Sequence, residues 1–326
     1  MPPSLDPDTL VVLEMMRAAG RPPFEQLTPD EARAAYAASR AMLQPDPDEV
    51  AEARDLVCPG PLGEVPLRSY RPAGAVEAEP LPALVYYHGG GWVLGGLESH
   101  DVVCRRLANL AGCAVVSVDY RMAPEHKFPA AVDDSAAATR WVIENAGRLA
   151  IDPSRVAVGG DSAGGNLAAV VALMARDGDM PPVAFQLLVY PATDMMMVTV
   201  SSQTVREGVP LTSSTMKWFI DHYLRDPADG LDWRASPLRA ASLAGTAPAF
   251  VLTASGDPLR DEGLAYAERL EREGVRVKLL HLSDQVHGFL SMGRIIRAAE
   301  VSLQIMSAAL RQALSPAPSP LPRGER

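Results

Sequence analysis

Short, unbroken apolar runs recur along the chain, each bounded by Gly, Pro or polar residues. LPALVYY (81–87), AVVSVDY (114–120), RVAVGG (155–160), AFQLLVYP (184–191) and APAFVLTAS (247–255) are of this kind. Their length and bounding residues predict strands buried on both faces. EVPLRSYRP (64–72) and VRVKLLHL (275–282) read as further strands. Between these runs the apolar period lengthens to that of a helix. VVCRRLANLAG, DDSAAATRWVIENAGRLA, NLAAVVALMARDG, EGLAYAERLEREG and RAAEVSLQIMSAALRQAL are the helical stretches. Strand and helix in alternation imply crossover connections and a mostly parallel sheet covered by helices on both faces, an α/β architecture. In such sheets ligands sit beyond the carboxyl ends of the strands, so informative residues are expected there.

Two regions break the alternation. Residues 1–50 read as two short amphipathic helices without a strand. Asp6-Pro7 starts the first and Gly20 stops it, while Thr28-Pro29-Asp30-Glu31 is a capping box for the second. With no sheet of their own, these helices must lie on another body. The second region, 195–240, is rich in Met and aromatics, and reads either as a helix packed on the core or as an insertion lining a pocket. Residues 315–326, SPAPSPLPRGER, are expected to form a disordered tail.

Composition narrows the function classes. At 326 residues, with 48% hydrophobic and 21% charged residues, the chain supports one large α/β domain (51–314) with added cap segments. A formal net charge of −10 and the lack of any basic run argue against a nucleic-acid partner. No apolar run approaches the ~20 residues that span a bilayer, so no membrane partner is expected. MPPSLDPDTLVV lacks the basic and apolar regions of a signal peptide. Cys58, Cys104 and Cys113 are widely spaced and form no CxxC pair, so reduced thiols, a cytoplasmic protein and no metal are expected. Neither GxxxxGK[ST] nor a GxGxxG after a strand is found, which disfavours a nucleotide cofactor.

The candidate chemistry begins with Gly160-x-Ser162-x-Gly164, set between a strand and a helix. That context is what a nucleophile elbow needs: a tight turn lifts the Ser162 hydroxyl above the sheet. A serine hydroxyl needs a base to take its proton. His88, His100 and His126 precede the serine, His222 precedes the next strand, and His281 falls inside one. His287, in the loop SDQVHGF, is the best placed. Between serine and histidine, Asp257 ends the strand APAFVLTAS and would orient His287, with Asp194 as its rival. Asp261 and Glu262 read as ordinary acidic residues at a helix start. HGGGW (88–92) follows a strand, and its glycines leave backbone N–H groups free to approach a developing oxyanion. Gly90, Gly91 and Ala163 are the candidate donors. Trp92 either anchors this loop or walls the pocket.

HGGGW, YRMAPEHKFPAA (120–131), GDSAGGNLAA (160–169), DPLRDEG (257–263) and HGF (287–289) together resemble the hormone-sensitive-lipase-like branch of the α/β-hydrolases, the bacterial family IV esterases. The likeness runs from about 51 to 312 in order and spacing. It implies an α/β-hydrolase fold with a helical cap built from residues 1–50 and 195–240. It also implies a Ser162–Asp257–His287 triad and an oxyanion hole of Gly90, Gly91 and Ala163. The pocket is expected to take in Trp92, Asp161, Tyr190, Met216 and Phe219. The implied reaction is cofactor-free hydrolysis of small esters with short to medium acyl chains, and a homodimer through the edge strand is a further expectation. An amidase or carbamate hydrolase would use the same triad. A non-catalytic receptor on this fold would lack the histidine, which is present. The chain departs from the family's frequent Gly-Met before the histidine, with Asp284-Gln285-Val286 there instead. The triple Met195-Met196-Met197 suggests a pliable apolar pocket.

Overall fold

In the computed structural model, residues 5–76 and 79–316 are described; most of the expected tail, from 317 on, lies outside them. Eight strands form one sheet: β1 (Glu52–Gly60), β2 (Gly63–Arg71), β3 (Leu81–Tyr87), β4 (Ala114–Val118), β5 (Ile151–Asp161), β6 (Phe185–Val189), β7 (Ala249–Gly256) and β8 (Val277–Val286). Their spatial order is β1-β2-β4-β3-β5-β6-β7-β8. β2 is antiparallel to both its neighbours and every other pairing is parallel. The mostly parallel sheet is therefore as the apolar runs implied, with one addition. β1 was not legible, because its run EARDLVCPG buries a single side chain, Cys58. An edge strand that is wet on both faces carries no apolar rhythm to detect.

The central strands β3, β4 and β6 are buried almost throughout, which is why they read as continuous apolar runs. One face is covered by α3 (Leu97–Ala111) and α9 (Arg297–Leu314), whose Val103, Leu107, Met306 and Leu310 pack on Leu84, Val115 and Leu187. The other is covered by α4 (Ala130–Glu144), α5 (Ala163–Asp177) and α8 (Arg260–Arg272), through Val142, Leu167, Val171 and Tyr266. All three cysteines are buried and free, and burial pushes the Cys58 thiol up to about 11.

The N-terminal helices form as their caps dictate. α1 (Pro7–Ala18) is capped by the Asp6 carboxylate, which accepts from Asp8 N–H at 2.9 Å. α2 (Pro29–Leu43) has the complete capping box of Thr28 and Glu31, a device worth about 1 kcal/mol. Arg33 of α2 fixes it to the body, with a bidentate pair to Glu125 (2.7 and 2.8 Å) and a bond to the Val93 carbonyl (3.0 Å). The interruption at 195–240 contains α6 (Val200–Thr204) and α7 (Ser213–Tyr223). Phe219 of α7 stands against Phe24, between α1 and α2, with ring centroids 6.3 Å apart.

Candidate active site

β3 and β5 lie side by side, but the chain leaves them in opposite directions, β3 toward β4 and β5 toward β6. A crevice opens where such connections diverge. The two loops that flank it are HGGGWVLGG after β3 and the turn at Ser162 after β5. In-register pairing of Tyr87 with Gly160 brings them together. Ser162 has φ 57° and ψ −116°, a conformation that costs a non-glycine residue on the order of 1–3 kcal/mol. The surrounding glycines are required by contact. A Cβ on Gly160 would stand 2.3 Å from the Tyr87 carbonyl oxygen, and one on Gly164 would stand 1.8 Å from it. Only bare backbone lets α5 start this close to the end of β3.

Above the turn, three side chains from separate strand ends meet. The Ser162 hydroxyl donates to His287 Nε2 at 2.9 Å, and His287 Nδ1–H donates to Asp257 Oδ2 at 2.7 Å. A carboxylate only accepts, so it holds the proton on Nδ1 and leaves Nε2 as the acceptor for the serine. Asp257 is fully buried at the end of β7, and its second oxygen accepts from Leu259 N–H at 2.8 Å. His287 follows β8 directly and its backbone N–H donates to the Gly256 carbonyl (3.3 Å), tying the two strand ends together. Asp194, the rival acid, is committed elsewhere: it forms a two-pronged pair with Arg239 (2.7 and 2.9 Å). Asp284 bonds the neighbouring Gln285 side chain. His281 stays in its strand, bonded to Thr253 and Ser255.

The glycine loop is held from below by Asp161. Its carboxylate accepts from Tyr86 Oη–H (2.8 Å) and Gly89 N–H (3.0 Å), and His100 Nε2 lies 3.1 Å away. Burial alone would raise this carboxyl; His100, Tyr86 and Arg40 outweigh it and hold it well below the usual carboxylate range. His88, stacked on Tyr120 at 4.3 Å, is the reverse case. Burial, with His100 beside it, pushes the imidazole down to about 3, and it stays neutral. Gly90 has φ 129° and Gly91 φ 61°, and a Cβ on Gly91 would collide with the Phe219 ring. The N–H groups of Gly90, Gly91 and Ala163 have no acceptor among the described residues.

A cavity of about 100 Å³ opens over Ser162 and His287. Gly90, Gly91, Trp92, Asp161, Met216 and Phe219 border it, so the structure brings those expected residues together. Trp92 does both things left open for it: it lines the cavity and stacks on Tyr223 of α7 at 4.4 Å. Asp161 reaches the cavity border, but its carboxylate is spent on the loop. Tyr190, expected in the pocket, instead backs the His287 ring at 4.6 Å and does not line the cavity. The Met195–Met197 expectation is also corrected. Met195 is buried beside Gly230, Met196 packs its sulfur on the same glycine while remaining exposed, and none of the three lines the cavity. The methionines at the cavity are Met16, Met216 and Met292. Sequence reasoning also missed Phe24, Tyr36 and Arg40 in its wall; the i, i+4 spacing of Tyr36 and Arg40 on one helix face was the available signal.

Glu262 likewise exceeds its expected role as a helix-start acid. It is buried and accepts from Thr193 N–H (2.6 Å) and Asp194 N–H (3.1 Å), and burial pushes its carboxyl up to about 8. Among the described residues there is no cluster of three His, Cys, Asp or Glu with metal-ligand geometry, and no helix is long and apolar enough to cross a membrane.

Residues 84–291 match a family model described as the alpha/beta hydrolase fold. The chain is 43% identical over 321 residues to the carboxylic ester hydrolase LipN of Mycobacterium tuberculosis, covering 96% of this chain and 84% of the relative. It is 41% identical to an ethyl acetate hydrolase of Pseudomonas putida, covering 95% and 100%. Among solved structures, the hyperthermophilic esterase of Pyrobaculum calidifontis superposes with a TM-score of 0.89 at 41% identity, over 96% of this chain and all of that one. The chain belongs to the α/β-hydrolase superfamily, in its hormone-sensitive-lipase-like esterase branch.

Proposed function

We infer that Ser162, His287 and Asp257 act as nucleophile, base and orienting acid of a serine carboxylesterase. The observation that carries the residue roles is the hydrogen-bonded line Ser162–His287–Asp257 beside three unspent backbone donors. The protein is a carboxylic ester hydrolase, as its relatives at 41–46% identity are. Residues 1–50 and 195–240 form the cap, a reading supported by Met16, Phe24, Tyr36, Met216 and Phe219 bordering one cavity with Ser162 and His287.

The reaction follows from the geometry. As Ser162 Oγ attacks the ester carbonyl carbon, its proton passes to His287 Nε2, and Asp257 stabilises the imidazolium. Negative charge on the carbonyl oxygen meets the N–H groups of Gly90, Gly91 and Ala163. Donors already aimed there need no reorganisation, and each is worth about 10²–10³ in rate. Collapse expels the alcohol, which takes the proton from His287, and leaves the acyl group on Ser162. Water then attacks the acyl carbon and loses a proton to His287; the bond to Oγ breaks, Ser162 takes that proton back from His287, and the carboxylic acid departs. Small-molecule esters of short to medium chain are the substrates.

The test is hydrolysis of p-nitrophenyl butyrate by the purified protein beside Ser162→Ala. Wild-type turnover that collapses by about 10⁴-fold or more in the variant is expected. Equal rates in both would sink the serine assignment.

A further inference from the structure

Most of the side chains that α1, α2 and α7 set around the catalytic cavity are apolar, yet Arg40 of α2 stands among them. Its guanidinium lies over the Tyr36 ring, 4.5 Å from the centroid, and Nη2 donates to the Tyr36 hydroxyl at 2.8 Å. It also comes close to the loop of the catalytic base. A Cβ on Gly288, next to His287, would stand 4.0 Å from Nη2.

The guanidinium is otherwise unspent. Its Nε is buried without a partner, and Nη1 has no acceptor among the described residues. None of the carboxylates in the described residues pairs with it. Asp161 acts on it only through space, because its oxygens are occupied by Tyr86, Gly89 and His100. Arg71 shows how a structural arginine is buried in the same chain: it donates to the carbonyls of Val76, Glu79, Leu149 and Ala150. Donors of a cation left unmatched away from water cost free energy, and an anion arriving there would relieve that cost.

The Tyr36 hydroxyl adds a second donor. Its oxygen accepts from Arg40, so its own proton remains free, and no group among the described residues takes it. Tyr36 and Arg40, one turn apart on α2, thus present donors and no acceptor. A carboxylate is the matching group, acceptor-only and planar like the guanidinium fork. Ser162, His287, Tyr36 and Arg40 all border one cavity of about 100 Å³, so the ester and the carboxylate belong to the same small molecule.

We propose that Arg40 and the Tyr36 hydroxyl bind a free carboxylate carried by the substrate. The inference rests on the esterase reading and names a substrate class for it: small esters with a second, ionised carboxyl group. That group lies either in the acyl part, as in half-esters of short dicarboxylic acids, or in the alcohol part, as in esters of short hydroxy acids. A hydrogen bond to a charged group made equally before and during the reaction lowers KM and leaves kcat alone. Its scale is about ten- to a hundredfold in kcat/KM.

Two substrate series separate the acyl and alcohol arms, followed by acid release at pH 7.5. One is the monoethyl esters of succinate, glutarate and adipate. The other is the acetate esters of glycolate, 3-hydroxypropanoate and 4-hydroxybutyrate. Each is compared with the neutral ester in which an isopropyl end replaces the carboxylate. The wild-type protein is expected to favour the carboxylated member at least tenfold in one series, through KM. Arg40→Met keeps the length and removes the charge, and should bring that ratio to one or below. Tyr36→Phe removes only the hydroxyl and should cut the ratio severalfold. Circular dichroism shows whether each variant is folded, and the wild-type comparison needs neither. Wild-type ratios at or below one in both series would overturn the proposal, as would an unchanged ratio in either folded variant. Failure to hydrolyse any ester, with Ser162→Ala no worse, would instead overturn the esterase reading.

Discussion

The crevice at the strand ends and the cap above it are built on opposite physical terms. Around Ser162 the backbone itself is the device. Gly160 and Gly164 touch the Tyr87 carbonyl so closely that no side chain fits, Ser162 is held in a strained conformation, and Asp161 ties the Gly89 N–H of the glycine loop to the Tyr86 hydroxyl of β3. In the segments above it, residues 1–50 and 195–240, the wall facing the cavity is made by side chains of helices and short turns, Met16, Phe24, Met216 and Phe219 among them. The contrast separates two tasks. Chemistry needs donors and a nucleophile fixed in place before the substrate arrives, whereas selectivity needs a wall that adapts to it. Phe219 is where the two meet, since its ring lies where a Cβ on Gly91 would go.

The largest effect that would break this contrast comes from the fixed side. Asp257→Asn keeps shape but offers His287 an amide, which allows the wrong tautomer. We expect kcat for p-nitrophenyl butyrate to drop by about 10⁴ with little change in KM. A fall of tenfold or less would mean that His287 is oriented by something else. Gly91→Ala comes next. Its φ of 61° and the Phe219 collision both disturb the loop, so a loss of about 10²–10³ in kcat is expected, the scale of one oxyanion donor. Adding Phe219→Ala relieves the collision but not the φ strain. The double variant should recover part of the loss, and full recovery would show that the loop is less fixed than described.

The smallest effects are on stability, and two buried groups give them opposite signs. The native His88 imidazole, at about 3, refuses the proton that the unfolded chain binds near 6.5, so stability falls as pH drops below about 6.5. Glu262 in the native state, at about 8, keeps a proton that the unfolded chain releases near 4.5, so stability falls as pH rises from there toward 8. Glu262→Gln removes the second limb while its amide oxygen can still accept from Thr193 and Asp194. Thermal unfolding is expected to show a Tm gain of a few degrees at pH 8 and almost none at pH 5. Equal changes at both would contradict the buried, protonated carboxyl.

The fixed side was also the legible side. Ser162, Asp257 and His287 each follow a strand that announces itself as an apolar run, and their order along the chain selects them from six histidines and forty acids. Gly90 and Gly91 stand out because three glycines after a strand serve no packing purpose. Less of the network below was readable. The contact of Asp161 with Gly89 and His100 depends on the register of β3 against β5, which local sequence does not encode. The position of His100 before the serine in the chain excludes it as the base but carries no information about its contact with the loop. The cap was the least legible part. Met195–Met197 suggested a pocket by composition, yet Met16, Met216 and Met292 line it, from segments nearly three hundred residues apart. Helical periodicity gives the apolar face of α1 and α2 but not the neighbour that face will meet. β1 escaped for a simpler reason, having almost no buried face at all.

With Ser162 as nucleophile an acyl group passes through its Oγ, and that covalent species can be trapped. The protein would be mixed with p-nitrophenyl butyrate, quenched in acid within the first turnovers, digested and mapped by mass spectrometry. A butyryl group on the peptide carrying Ser162, absent from Ser162→Ala and strongly reduced in His287→Ala, is the predicted result. Turnover with no covalent species, or with the acyl group on another residue, would contradict it.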